Sequence, residues 1–266
     1  FNSYRQILTN CKLFYFKFAV VLTTAFFLHG QSNNKVVYLH GKVEKINTNL
    51  KGADSISAIE VNSTISSNEI IATAKGSRVE FKSQNQIVRL GSLSVCRFPS
   101  SSKIWIHSGS LLFSSTKEAK FELSSIKSNL EFEGIGTCIM EATSNGGFKF
   151  IPIEGSGSIT TKDGVTKKIK SGRMILVLGK PSVFGDAYDI DLMLMIKSSR
   201  LINAFPNTLE RMKYIGMSLF VQQSRLRGKY DALIGDATTN ENLQLWKFNT
   251  PPLENKGLMN KLFPND

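Results

Sequence analysis

The carboxylates that come closest to a catalytic arrangement are Glu131, Glu133 and Glu141. Two carboxylates flanking a glycosidic bond are what glycoside hydrolysis needs, so a carbohydrate-active enzyme is one reading the sequence leaves open. Glu131 and Glu133 alternate with Leu130 and Phe132, however, and that alternation belongs to the wet face of a strand. The chain has three histidines. His40 precedes Gly41, and His107 precedes Ser108-Gly109, with no H-x-x-H or H-E-x-x-H spacing, so no metal-ligand set is expected. No G-x-S-x-G is present. A Ser-His-Asp triad assembles in space rather than in sequence, but Ser-rich turns account for the serines. Gly134-Ile135-Gly136 opens like a dinucleotide-binding pattern, yet it lies inside a strand with no helix to follow, which that chemistry requires. These residues predict a protein that is not an enzyme, with no catalytic residue, metal or cofactor.

The elements that would position any site are mostly strands. Phe132 to Ala142 and Phe148 to Thr160 are apolar-rich runs flanking Asn145-Gly146-Gly147, and Asn-Gly between such runs is the strongest short-range hairpin signal. Further strands are expected at Val36–Ile46, Glu69–Thr73, Arg78–Phe81, Gln86–Phe98, Ile104–Phe113, Ala119–Ser124 and Thr166–Leu178, with the hairpin's first strand starting at Asn129. Residues 47–65 are polar and read as an irregular loop. Short strands at even spacing predict a mainly-β, all-β module over 31–185, solenoid-like or sandwich-like. The pattern changes over 186–235. Asp189 can cap a helix, Pro206 can stop it, and Asn207 with Glu210 can start another. Leu209, Met212, Ile215 and Leu219 recur at helical spacing. An αα-hairpin is expected at 189–204 and 208–228, followed by an extended tail at 236–266 that Trp246 can pin. A hairpin of that size cannot bury its own apolar face. It is expected to pack on the β-module through Leu192, Met195, Ile196, Leu209, Met212, Ile215 and Leu219. The competing expectation is that Met193, Met195, Met212 and Met217 form an exposed, adaptable partner surface.

Residues 1–30 carry Arg5, Lys12 and Lys17, then an apolar run from Phe18 to Leu28, then Gly30 before polar residues. That is the layout of a secretory signal peptide, with cleavage expected after Gly30. The run is shorter than the roughly 17–25 residues of a membrane span, although Leu13 to Phe16 could extend it into an uncleaved N-terminal anchor. The location expected is extracytoplasmic, periplasmic or secreted, with membrane contact only through this segment. The chain carries a net charge of +12, and its first 30 residues hold three of the 33 basic residues and none of the 21 acidic ones, leaving +9 for the remainder. Such a surface suits an anionic envelope polymer or a protein partner. No nucleic-acid partner is expected. Cys11 belongs to the leader. Cys96 and Cys138 lie in strands, and in an oxidising compartment the pair leaves a disulfide open, against the plain alternative of two core thiols.

From Val36 to Val177 the order of short motifs resembles the FecR-type extracytoplasmic domain. Gly41-Lys42-Val43, Ile70-Ile71-Ala72-Thr73 with Ser77-Arg78-Val79, and Arg89-Leu90-Gly91-Ser92-Leu93-Ser94-Val95 match its opening blocks. Ser108-Gly109-Ser110-Leu111, Gly136-Thr137, Glu154-Gly155-Ser156 and Ser171-Gly172-Arg173-Met174 match the later ones in order. The motif residues Gly41, Gly91, Ser94, Gly109, Gly136, Thr137, Glu154, Gly155 and Gly172 are expected to be structural, the glycines at tight strand corners. The resemblance implies a twisted, solenoid-like β-module outside the inner membrane. In the namesake regulators it senses an outer-membrane transporter and signals to a cytoplasmic sigma-factor-binding segment. Asn68-Glu69 replaces the usual Gly-Asp, and an αα-hairpin stands where those regulators have their transporter-contact domain. The leading expectation is therefore a non-enzymatic exported module that binds a protein or cell-envelope polymer. The alternative is a FecR-like regulator of the iron-uptake type, and the minor alternative is a carbohydrate-active enzyme.

Overall fold

The computed structural model describes residues 34–50, 55–67, 69–226, 232–234 and 244–246. The segment 1–30, with its leader or anchor and Cys11, lies outside the described residues, as does most of 236–266. Among the described residues, no helix is long and apolar enough to cross a membrane.

The spine is three long strands, β10 (Ser110–Ser124), β11 (Asn129–Ala142) and β12 (Phe148–Thr160), paired antiparallel. Alternation dictates the register: Phe121 faces Phe132 and Leu123 faces Leu130, all buried, while Glu122 faces Glu131 on the other side. The expected hairpin between β11 and β12 is present. Thr143 N–H donates to the Gly147 carbonyl at 3.0 Å, and Gly146 N–H to that of Thr143 at 2.9 Å.

The sheet forks at β10. Its first half pairs with β7 (Gln86–Leu90), which continues to β6 (Arg78–Ser83), β1 (Asn34–His40) and β4 (Thr64–Ile65). Its last three residues pair in parallel with β9 (Lys103–Ser108), which continues to β8 (Val95–Ser100), β5 (Glu69–Thr73), β2 (Val43–Asn47) and β3 (Ile56–Ala58). The two arms face each other across one core. Phe81 of β6 meets Phe98 of β8 edge-on, with ring centroids 5.3 Å apart, and Val36, Val79, Ile71, Ile106, Phe113 and Phe150 share that core. On its far side β12 pairs with β13 (Thr166–Lys168) and β14 (Arg173–Leu178), and β14 with β15 (Val183–Asp189). The protein is mainly β, one open mixed sheet folded over in sandwich-like fashion.

Several expected bounds are corrected. Val36–Ile46 is two strands, because Gly41 turns the corner with its backbone against Ser77. Gln86–Phe98 and Ile104–Phe113 divide in the same way at 91–94 and at Gly109. The polar loop at 47–65 holds two short strands, β3 and β4. The sheet also gains β15, where mixed polarity hid an edge strand.

Strand pairing places three rows of residues on the sheet's second face. One row is Glu80–Arg89–Leu112–Ile139–Ile151, the next is Lys82–Ile87–Ser114–Thr137–Glu154, and the third holds Glu141 opposite Lys149. The helical segment covers this face. α1 (Leu192–Ser198) and α2 (Arg200–Asn203) replace the expected helix 189–204, which breaks at extended Ser199. Asp191, not Asp189, caps α1, its carboxylate accepting from Leu194 N–H at 2.8 Å, because β15 consumes Asp189. α3 (Met212–Leu226) starts later than expected, since Asn207 lends its carbonyl to Arg89 instead of capping a helix.

The expected packing is observed. Leu192, Leu201, Ile202, Leu209 and Ile215 are buried against Leu112, Ile139, Ile151 and Ile153, with Met195, Ile196, Met212 and Leu219 at the margin. Each fully buried side chain of this kind contributes roughly 1.5–3 kcal/mol. Part of the expected tail is a strand: β17 (Gln244–Trp246) pairs with β16 (Ala232–Ile234).

Candidate functional site

The hydrophilic row on the second face does not end in solvent. Ser114 and Thr137 hydroxyls lie 2.8 Å apart, and Thr137 Oγ1 donates to Glu154 Oε1 at 2.8 Å. Arg211 then grips the same carboxylate with both Nε and Nη2, at 2.6 and 2.8 Å. Glu154 and Arg211 are only 2% and 8% exposed. Bidentate Arg–carboxylate pairs combine charge with fixed geometry, and the Glu154 hydrogen bond raises the guanidinium's pKa. Glu210 reaches the other way along the row and meets Lys82 at 2.9 Å. Leu209, between the sheet and the chain, is buried. These three consecutive residues therefore seat the start of α3 on the sheet.

Beside this pair a cleft of about 530 Å³ opens between α3 and the β12–β14 region. Its floor is Glu154, Gly155 and Arg211. One wall is the outer face of α3, with Tyr214, Met217 and Val221. Those three side chains are each about half exposed, and Phe220 beside them is 71% exposed. The opposite rim carries Ser156, Lys170 and Ser171. The Arg211 guanidinium stacks on the Tyr214 ring at 4.5 Å. At the far end Arg225 pairs with Asp189, Nη1 to Oδ2 at 3.0 Å. Gln222 clamps α3 to the sheet below, donating to the carbonyls of Ile190 and Gly172 and accepting from Leu192 N–H.

The structure gathers part of the motif series here. Glu154 and Gly155 belong to the floor, Thr137 holds Glu154 from beneath, and Gly172 passes under Gln222, whose amide nitrogen would be 2.1 Å from a Cβ at that position. Gly136 does not sit at a corner as expected. It faces Gly155 in mid-strand, and Gly134 faces Gly157 one step along. A Cβ on Gly155 would lie 2.2 Å from the Ile135 carbonyl oxygen, and its φ of +119° excludes most other residues. This double glycine contact lets β11 and β12 bend at very close approach. Gly41, Gly91, Ser94 and Gly109 lie elsewhere, at the strand corners, as expected. Lys42 N–H donates to Ser77 Oγ and Ser110 N–H to Ser94 Oγ, each at 2.9 Å, two copies of one corner device.

The other candidates separate. Cys96 and Cys138 are free, buried thiols on β8 and β11, so the disulfide left open by the sequence does not form. Burial pushes both thiols up in pKa. Glu131 and Glu133 share Lys120 on the surface, while Glu141 pairs with buried Lys149 at 3.4 Å. His40 and His107 are exposed on separate strands, and no metal-ligating group of three exists among the described residues. Met217 is exposed, whereas Met193, Met195 and Met212 are half-buried, so the methionines form no continuous surface.

Sequence reasoning missed Arg211 and the wall of α3. Arg211 lacked a signal because its partner is 57 residues away. The wall had one, since Tyr214, Met217 and Val221 repeat at helical spacing on the side opposite Ile215 and Leu219. No protein-family model and no curated protein matches this chain.

Proposed function

We propose that this protein is an exported, non-enzymatic binding module of the FecR type, and that it takes a cell-envelope component into the cleft between α3 and β12. The observation that carries this is the cleft itself. A half-exposed apolar wall of Tyr214, Met217 and Val221 faces cationic and hydroxyl groups across a floor locked by the Arg211–Glu154 pair. Concave, largely apolar lining with a few convergent polar groups is the usual form of a ligand site. The buried ion pair is preorganised, so binding need not order the floor. Export rests on the basic and apolar pattern of residues 1–30, and the FecR assignment on the order of the glycine motifs.

The test is capture of solubilised envelope material on the immobilised protein, with Val221→Asp as the control. Val221 is 60% exposed, so the change is compatible with folding while placing a charge on the cleft wall. Retention by the wild type and loss in Val221→Asp is the expected result. Equal retention by both would remove the cleft from the function.

A further inference from the structure

Arg211 is nearly buried, yet it is not fully used. Glu154 occupies Nε and Nη2, and Nη1 has no hydrogen-bond partner among the described residues. Lys170, on the facing rim, likewise has no ion-pair partner among them. Of the other charges on the cleft, Arg211 is paired with Glu154, and Arg225 with an Asp189 that also meets Arg173 at 3.7 Å. The cleft therefore carries a net positive charge, with the unpaired Lys170 ammonium on its rim and an unused guanidinium donor on its floor. Across from them stand Tyr214, Met217 and Val221.

Resting on the binding reading above, we propose that the group this cleft accepts is an anionic amphiphile: a carboxylate-type head on an apolar chain or ring. The head sits between Lys170 Nζ and Arg211 Nη1, where charge-assisted hydrogen bonds are strongest. The body lies along Tyr214, Met217 and Val221 and covers surface that is otherwise wet. The volume lies inside the roughly 300–1,000 Å³ range of small-molecule sites. A cation would face Lys170 directly. The match is therefore to an anion.

The test is isothermal titration of the purified protein with dodecanoate, dodecanol and acetate, all below micellar concentration. Dodecanoate binds one to one, dodecanol roughly tenfold more weakly, and acetate not measurably. Lys170→Gln weakens dodecanoate about threefold, as befits an exposed cation, and leaves dodecanol unchanged. Val221→Asp weakens dodecanoate at least tenfold through like-charge repulsion. Equal binding of dodecanoate and dodecanol, or indifference to both substitutions, overturns the proposal. If dodecanoate fails to bind while envelope capture still depends on Val221, the ligand class is wrong and the cleft reading stands. If capture is also independent of Val221, both fall.

Discussion

Replacing Arg211 with Met isolates the pair that holds the last helix to the sheet. The side chain leaves two hydrogen bonds of 2.6 and 2.8 Å unmade. Glu154 stays buried, with Thr137 Oγ1 as its remaining donor. Removing one partner of a buried ion pair costs about 3–5 kcal/mol, because a charge is stranded away from water. For a domain of this size each kcal/mol lowers Tm by about 2–4 °C, which gives a fall of roughly 6–20 °C. The double change Arg211→Met with Glu154→Leu removes both charges together and fills the site with apolar volume. Such replacements are often neutral, so most of the lost stability should return. Thermal and urea unfolding followed by circular dichroism read both variants. A Tm for Arg211→Met within 2 °C of wild type, or a double variant no better than the single, would refute the reasoning.

Arg89→Met is expected to cost about as much, since fully buried Arg89 donates to Glu80 at 2.7 Å and to the Leu201 and Ile202 carbonyls at 3.0 and 3.2 Å. Hydrogen exchange in α2 should accelerate more than exchange in β10, and uniform acceleration would count against it. Gly155→Ala should destabilise strongly, because its Cβ meets facing backbone at 2.2 Å, whereas Gly164→Ala, with open space around it, should cost about 1 kcal/mol. Comparable urea midpoints for the two would contradict that account. Cys96 and Cys138 should resist thiol reagents at pH 8 in the native state and react on unfolding, as peptide mapping can show. The folded protein holds these thiol protons more tightly than the unfolded chain. Their contribution to stability is therefore full below about pH 8.5 and declines as pH rises above it. Native labelling at the rate of a free thiol would exclude this.

The strands with clear alternation and an Asn-Gly turn, β11 and β12, were legible to the residue, because local patterning alone decides them. The packing of Leu192, Leu209 and Ile215 was legible for the same reason. The fork at β10 was not: the sequence reads as separate strands ending at Phe113 and starting at Ala119, whereas one strand runs through Ser110–Ser124, pairing with β7 at one end and β9 at the other across a register shift between Ser115 and Ala119. β15 was hidden because an edge strand with one wet side lacks the apolar signal of a central one. The helix break at Ser199 and the late start of α3 were not legible because other side chains take the backbone there: Asn203 Nδ2 donates to the Ile196 and Lys197 carbonyls freed by the break, and Arg89 to the Asn207 carbonyl ahead of α3. The cleft was half legible. Thr137, Glu154 and Gly155 stood out as motif residues, but their partner Arg211 comes from a distant helix, and no short-range pattern couples the two.

The central claim, that the surface between α3 and β12 is the binding site, is tested most directly by methyl and amide NMR during titration with dodecanoate. The account predicts shifts at the Met217 and Val221 methyls and the Gly155 amide. It predicts none at Met140, which lies in the core between the arms, and none at Trp105 on β9. Shifts centred on Trp105, or spread evenly with Met217 unmoved, would contradict it.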